Sequence, residues 1–381
     1  MKICAIICEY NPFHNGHLYQ LREARRLSGA DAVLCIMSGN FVQRGEAAVM
    51  DKFTRAKHAI LAGADAVIEL PTIFATSNAE LFAKGAIKIL SSIPSVTTLC
   101  FGAETADKDA LLQAAKLLNN EPEDVSSKIK DLIATGMSYA KARAEAWKDV
   151  LPNELLSSPN NILGIEYTRA ILSMNSSIEL LPIARVGSGY NEKTIKENYS
   201  SASAIRQAIA KKESFTGNLP AFVSVDLPAQ LENLLETLKK YALLSSPVEK
   251  IASVCDCTEG LENALKRASE EPKTLVESLT SARYTSSRIR RIALQNLLNI
   301  NEDLIRSGLQ SPLYLRVLAI KNPASEALSA LSESNHQLLV RPRDTLELSG
   351  VASKVFAIDT FAEKVYNLLY PKREKNIDIF I

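Results

Sequence analysis

The first quarter of the chain alternates short apolar runs with stretches of helical period. Ile3–Cys8, Ala32–Met37, Ala66–Leu70 and Val96–Phe101 are nearly continuous apolar runs of strand length, the last two closed by Pro71 and Gly102. Between them, Leu18–Leu27, Lys52–Leu61 and Asn78–Leu90 place apolar residues at helical spacing, and Gly63 stops the second of these. Strands apolar on both faces and separated by helices read as βαβ units with a parallel sheet. Right-handed crossovers bring the strand C-termini to one edge, so residues 9–17, 38–45, 71–77 and 102–105 are expected to line one crevice.

Further on, residues 106–150 read as charged helices and Asn160–Leu172 as another helix. Leu180–Val186 is a last strand, ended by Gly187-Ser188-Gly189. A polar stretch, Tyr190–Ser200, leads to a helix starting near Ser201-Ala202-Ser203-Ala204-Ile205-Arg206. Pro220 and Pro228 mark a boundary, after which Leu-rich helical patterns run to about residue 310. Val317–Ile320 is a candidate short strand and Val351–Leu369 a final helix. The pattern predicts an α/β fold with a Rossmann-like parallel sheet over residues 1–225, followed by a mainly helical domain over 226–381. No internal repeat or low-complexity tract interrupts it.

Composition narrows the class. With 381 residues the chain exceeds one small core. No run of about 18 apolar residues is present and no charged leader precedes an apolar core, so a cytoplasmic protein with no membrane partner is expected. A formal net charge of +1 leaves any case for nucleic acid to local clusters. Of the six cysteines, Cys4, Cys8, Cys35 and Cys100 sit in or beside strands as small hydrophobes. Cys255-Asp256-Cys257 is only a weak metal or redox hint, and no second pair lies at zinc spacing.

The candidate chemistry lies in His14-Asn15-Gly16-His17, between the first strand and the first helix. Imidazole N–H groups and a helix N-terminus can bind the charge that grows on a nucleotide α-phosphate when an acid attacks it and pyrophosphate leaves. Gly16 lets the backbone approach. Before the motif, Pro12 and Phe13 shape the turn, and Glu9 either assists the incoming acid, water or a metal, or caps local amides. Ser38-Gly39-Asn40-Phe41-Val42-Gln43-Arg44-Gly45 faces the same crevice. Lys52 and Arg55 share a helix face that either holds phosphates or a carboxylate, or is ordinarily solvated. His58 lies one turn beyond. Ser201, Ser203 and Arg206 suit a capped helix facing the β- and γ-phosphates. Arg283, Arg288, Arg290 and Arg291 crowd around a helix whose buried stripe is Ile289, Ile292, Ala293 and Leu297. Such a cluster suits an RNA backbone, which Arg341 and Arg343 would extend, or packs against acids such as Glu270, Glu271 and Glu277.

Long strings then resemble one family. Glu9-Tyr-Asn-Pro-Phe-His-Asn-Gly-His17, the 38–45 segment, Asp51-Lys52 with Arg55, and Gly63-Ala-Asp-Ala-Val-Ile-Glu-Leu-Pro71 are similar to bacterial tRNA(Met) cytidine acetate ligases of the HxGH nucleotidyltransferase-like superfamily. Phe101-Gly102, Ser158-Pro-Asn-Asn-Ile-Leu-Gly164, Ser203-Ala-Ile-Arg206 and Arg283-Tyr-Thr-Ser-Ser-Arg-Ile-Arg-Arg291 extend the resemblance over most of the chain. It implies activation of acetate by ATP to acetyl-adenylate, then acetylation of N4 of the wobble cytidine, C34, of elongator tRNA(Met). It also implies a catalytic domain over 1–225 and a tRNA-binding region over 226–381.

The resemblance further implies an ATP site over Ile7, Cys8, Glu9, Tyr10, Asn11, Pro12, Phe13, His14, Asn15, Gly16, His17, Leu18, Tyr19 and Gln20. Gly102, Asn161 (or its neighbour Asn160), Arg185 and Val186 complete it, with Ser203 and Arg206 on the phosphates. His14, His17 and Lys52 would be catalytic, Lys52 or a loop amide supplying a wall for acetate. Mg²⁺ would enter on the ATP phosphates. Ala103 and a Gly187-Ser188-Gly189 loop without a nearby histidine depart from the family pattern. A nucleotidyltransferase acting on a small phosphorylated metabolite shares the histidines but needs no arginine-rich surface.

Overall fold

Strand Ile3–Cys8 (β1) is buried at every position and is an interior strand of a seven-stranded sheet. It is followed by Ala32–Ser38 (β2), the two-residue strands Phe41–Val42 (β3) and Glu46–Ala47 (β4), and Ala66–Leu70 (β5). Val96–Ala103 (β6), Glu179–Ala184 (β7), Tyr314–Ile320 (β8) and Gln337–Leu339 (β9) complete the set. The structure, a computed structural model, describes residues 1–137, 139–186, 199–215, 217–225, 231–281, 283–321, 326–370 and 380–381.

The sheet order is β7-β6-β1-β2-β5-β8-β9, and β3 pairs only with β4. From β7 to β5 every pairing is parallel, as the alternation of strands and helices predicts. The chain runs outward from β1 to β2 and β5, then returns to lay β6 on the other side of β1. This reversal opens a crevice beyond the C-terminal ends of β1 and β6, where open α/β sheets bind ligands. Register pairs Cys8 with Met37, so the loops after β1 and β2 leave side by side.

Helices Asn15–Ser28 (α1), Lys52–Leu61 (α2), Thr72–Ala75 (α3) and Ala79–Ser91 (α4) cover the first four long strands. Each has a sequence reason to start or stop. Asp51 accepts the Phe53 and Thr54 amides at the head of α2, Asn78 accepts the Leu81 amide at the head of α4, and Gly29 closes α1 in a left-handed conformation.

The expected boundary at residue 225 does not separate two cores. Strand β8 joins the sheet antiparallel to β5, and β9 follows parallel to β8. The terminal helix Gly350–Leu369 packs on α3. Ile305, Tyr314, Val355 and Tyr366 therefore share one apolar cluster with Ile36, Leu70 and Phe74. The cause is the run Tyr314–Ile320, buried at all but one position, of which the sequence pattern marks only the second half. A smaller cluster around Leu243, Ile251, Leu261, Leu265 and Ile289 gives the intervening helices their own core. The predicted Gly187-Ser188-Gly189 stop, residues 190–198 and Pro228 lie outside the described residues. Among the described residues no helix is long and apolar enough to cross a membrane.

Candidate active site

Two stacked imidazoles stand at the entrance to α1. The His14 and His17 ring centroids are 3.7 Å apart with planes 22° from parallel. Behind them, the buried rings of Tyr10 and Phe13 lie 4.9 and 5.6 Å from His17. The Gly16 amide donates to His14 Nδ1 at 3.1 Å, and the His14 amide donates to His17 Nδ1 at 3.3 Å. A neutral imidazole that accepts at Nδ1 carries its proton on Nε2. Burial, reinforced by Arg185 and Arg206, lowers His14 to about 3. Burial, then His14 and Arg185, hold His17 well below the ordinary histidine value. The pair is thus neutral near pH 7, and each ring keeps one Nε2–H to donate.

Gly16 is required by this fold-back. A Cβ there would lie 2.9 Å from His14 Cε1 and 3.0 Å from Nδ1. The helix terminus differs from expectation, because its first amides are occupied. Asn15 N–H donates to the Asn218 carbonyl at 3.0 Å, and Gly16 N–H is held by His14. The terminus offers its dipole, and the imidazoles offer the donors.

The histidines sit where two adjoining open cavities meet, a smaller and a larger. Both cavities share His14, His17, Gln20, Gly102, Arg185 and Ser201. Gly16, Tyr19 and Val186 line the smaller, and Ile7, Cys8, Glu9, Tyr10 and Asn11 line the larger. Gly102 permits close approach, since a Cβ would meet Arg185 Cγ at 3.3 Å. Across the larger cavity, Ser201 caps the helix Ala202–Lys211 by accepting the Ala204 amide, and Ser203 and Arg206 face inward from its first turns. Arg206 donates to the Asn11 carbonyl at 2.8 Å, tying the two walls together. The Glu9 carboxylate accepts the Gln43 amide at 2.8 Å, and burial raises its pKa despite Arg206 and Arg55.

Of the expected nucleotide contacts, Pro12, Phe13, Asn15, Leu18 and Asn161 do not line either cavity. Phe13 is fully buried behind the histidines, and Asn15 clasps the Gly217 carbonyl at 2.6 Å. Asn161 is buried and structural. It accepts the Thr105 amide at 2.9 Å and donates to Thr105 Oγ1 and the Glu154 carbonyl. Its neighbour Asn160 lines the larger cavity and donates to Glu104 at 2.6 Å.

Lys52 is likewise turned away from the crevice, against the expected catalytic role. Its ammonium is 1% exposed, lies 2.7 and 2.8 Å from the two Glu69 oxygens, and is 3.3 Å from Glu363. Arg55 is buried too, donating to the carbonyls of Glu9, Ser38, Gly39 and Met50. It fastens the loops after β1 and β2 instead of touching a ligand. The sequence does carry a signal for this network: Glu69 is the one charge in the apolar strand Ala66–Leu70, and a buried carboxylate needs a cation. Tyr199 and Ser200 line the smaller cavity unannounced by any periodicity.

The arginine cluster divides. Arg283 is exposed. Arg288 is engaged with the Asp256 carbonyl at 3.0 Å, Thr258 at 2.7 Å and Glu259 at 3.1 Å. Arg291 is largely buried beside Asp256, and that burial lowers its pKa. Arg290 faces Glu46 at 3.4 Å. The acidic partners are therefore Glu46, Asp256 and Glu259, not Glu270, Glu271 or Glu277. Arg341 and Arg343 are exposed beside the Pro342–Glu347 turn.

The family model described as HIGH Nucleotidyl Transferase matches residues 1–378. A tRNA(Met) cytidine acetate ligase of Clostridium perfringens is 36% identical, the match covering 100% of this chain and 98% of the relative. The chain belongs to the tRNA(Met) cytidine acetate ligase family. A second family member, from Acetivibrio thermocellus, is 37% identical over 97% of this chain and 95% of its own. The fold is also that of a solved ligase. Apo Thermotoga maritima TmcAL superposes with a TM-score of 0.87 at 28% identity, covering 98% of this chain and 96% of that one. Thermotoga maritima TmcAL bound with alpha-thio ATP superposes at 0.84 with 29% identity, covering 100% and 97%.

Proposed function

We propose that this chain activates acetate with ATP and transfers the acetyl group to N4 of the wobble cytidine, C34, of elongator tRNA(Met). The observation that carries the chemistry is the stacked pair His14–His17, whose neutral rings line the crevice and each keep an Nε2–H to donate. In the first step a carboxylate oxygen of acetate bonds to the α-phosphorus and the bond to pyrophosphate breaks. Charge grows on the α-phosphate oxygens, where two imidazole donors stabilise the transition state more than the ground state. Arg206 and Arg185 supply positive charge for the departing phosphates. In the second step the cytidine amine attacks the acetyl carbonyl, AMP leaves with the bonding electron pair, and the amine gives up one proton.

Gly102 and Asn160 bound the nucleotide side of the crevice, and Lys52 has no part in it. Acetate then meets loop amides and the imidazoles, not an ammonium. Mg²⁺ would ride on the triphosphate, because among the described residues no group of three or more His, Cys, Asp or Glu is placed to hold a metal. An unpaired loop base costs less to present to the crevice than one taken from a duplex. Arg283, which is exposed, and Arg290, which is one-third exposed, would meet the RNA backbone.

Mass spectrometry of tRNA(Met) after incubation with ATP and isotope-labelled acetate tests the reading. Labelled N4-acetylcytidine at C34 is expected, with pyrophosphate exchange that requires acetate. Exchange driven by a phosphorylated metabolite and indifferent to acetate would replace this reading with nucleotidyl transfer.

A further inference from the structure

The short β3–β4 hairpin is gripped from outside the sheet. At its turn, Gly45 adopts φ +73 and lies so close to the helix Ser286–Leu297 that a Cβ would meet the Arg290 and Arg291 main chain at 2.5 Å. The buried ammonium of Lys239 donates to the Gly45 carbonyl at 2.7 Å. The next residue, Glu46, lies within ion-pair distance of two guanidinium groups, one on each carboxylate oxygen. Its Oε1 is 3.4 Å from Arg290 Nη1, and its Oε2 is 3.8 Å from Arg206 Nη2. All three side chains are partly exposed, between 22% and 34%. One carboxylate is thus divided between an arginine of the RNA-facing cluster and an arginine of the nucleotide crevice.

We propose that Glu46 is a positioning residue that makes tRNA and the ATP phosphates oppose one another across the hairpin. The inference rests on the function proposed above. An RNA phosphate that engages Arg290 neutralises it and releases Glu46 toward Arg206. Arg206 then holds the β- and γ-phosphates less tightly. Linkage requires the converse as well: phosphates on Arg206 return Glu46 to Arg290 and weaken RNA there. The consequence suits two steps in series. ATP binds well before RNA arrives, and arrival of RNA favours loss of pyrophosphate before the amine attacks.

The test is ATP binding without acetate, so that no turnover intervenes, measured by equilibrium dialysis with and without saturating unmodified tRNA(Met) transcript. For the natural chain, tRNA is expected to weaken ATP binding about two- to fivefold, the range for a partly exposed ion pair. Glu46→Gln is expected to bind ATP about two- to fivefold more tightly without tRNA and to show no shift on adding it. Glu46→Asp, which keeps the charge, should retain part of the shift. A tighter-binding variant cannot arise from simple damage to the crevice. No shift in the natural chain, an undiminished shift in Glu46→Gln, or weaker ATP binding by Glu46→Gln alone would each overturn the proposal. Failure of acetate-dependent exchange in the natural chain would instead remove the proposed function, so the two failures are distinct.

Discussion

Lys52 and Glu69 form a buried ion pair, with the ammonium 2.7 Å from one carboxylate oxygen and 2.8 Å from the other. Arg316 approaches the same carboxylate at 3.1 Å, and Glu363 meets both cations at 3.3 Å. The network joins α2, β5, β8 and the terminal helix just beneath the loop that begins at Ser38. Removing Lys52 leaves the two carboxylates of Glu69 and Glu363 to share the one guanidinium of Arg316, an imbalance that costs less than the about 3–5 kcal/mol of a fully stranded buried charge. Lys52→Met is expected to lower the unfolding free energy, read from the urea transition, by about 1–3 kcal/mol while leaving the KM for acetate within twofold. The double variant Lys52→Met, Glu69→Leu should regain part of the loss. A rise in KM for acetate at unchanged stability would return Lys52 to the active site.

What the sequence disclosed and what it hid follow from the range of the interactions. The parallel strands are legible because both faces are buried, leaving uninterrupted apolar runs such as Ile3–Cys8. The histidine pair is legible because strand, turn, glycine and helix are contiguous. Strand β8 was only half visible, since it enters antiparallel after a long helical tract and no βαβ pattern announces it. Lys52 misled because its partners, Glu69 and Glu363, are brought to it only by the fold. Asn160 and Asn161 could not be separated by sequence, because successive helical residues point about 100° apart and only packing decides which faces the cavity.

That separation is itself testable. Asn160→Ala should raise the apparent KM for ATP about tenfold, one charge-assisted or neutral hydrogen bond's worth, with little loss of stability. Asn161→Ala removes a fully buried amide side chain and the acceptor of the half-buried Thr105 amide, and should cost about 1–3 kcal/mol of stability. The opposite assignment of effects would show that the Ser158 end of the helix is rotated when nucleotide binds.

The neutral histidines fix a pH signature for catalysis. His14→Ala should reduce acetate-dependent pyrophosphate exchange about 100- to 1000-fold, as for loss of one preorganised donor. Because His14 is lowered to about 3 and His17 well below its ordinary value, neither ring changes charge between pH 5.5 and 8. Exchange by the natural chain should show no limb from them in that interval. An inflection near pH 6.5 that vanishes in His14→Ala would mean that the imidazolium is the working form.

The same burial shapes stability. His58 and His336 are lowered to about 4, each by burial first, and both have a ring nitrogen without a partner. When unfolded, each titrates at its ordinary value near 6.5. Between those values the unfolded chain binds more protons, so stability rises with pH and is lost as pH falls from about 6.5 toward 4. Asp359, raised to about 6 by burial, works in the opposite sense over its own range. Replacing His58 and His336 by Asn should flatten the acid fall in urea midpoint between pH 7 and 5, each histidine contributing up to about 1.4 kcal/mol per pH unit. An unchanged slope would place both rings in solvent.

The arginine cluster yields a prediction that separates its members. A guanidinium that neutralises an RNA phosphate releases about one counterion, so its loss weakens binding and lowers the slope of log affinity against log salt by about 0.7–0.9. Arg283 is exposed, and Arg290 is one-third exposed and faces Glu46. Arg291 is mostly buried beside Asp256, and Arg288 is spent on three partners of the loop 256–259. Arg283→Ala and Arg290→Ala should therefore each reduce the salt slope for tRNA(Met). Arg291→Ala should leave the slope intact and lower the stability of the helical part, because it removes a largely buried side chain and empties the space it fills. Filter binding at several salt concentrations distinguishes these outcomes. A full slope change in Arg291→Ala with unaltered stability would mean that RNA draws this side chain out of the interior and that the exposed pair is not the RNA contact.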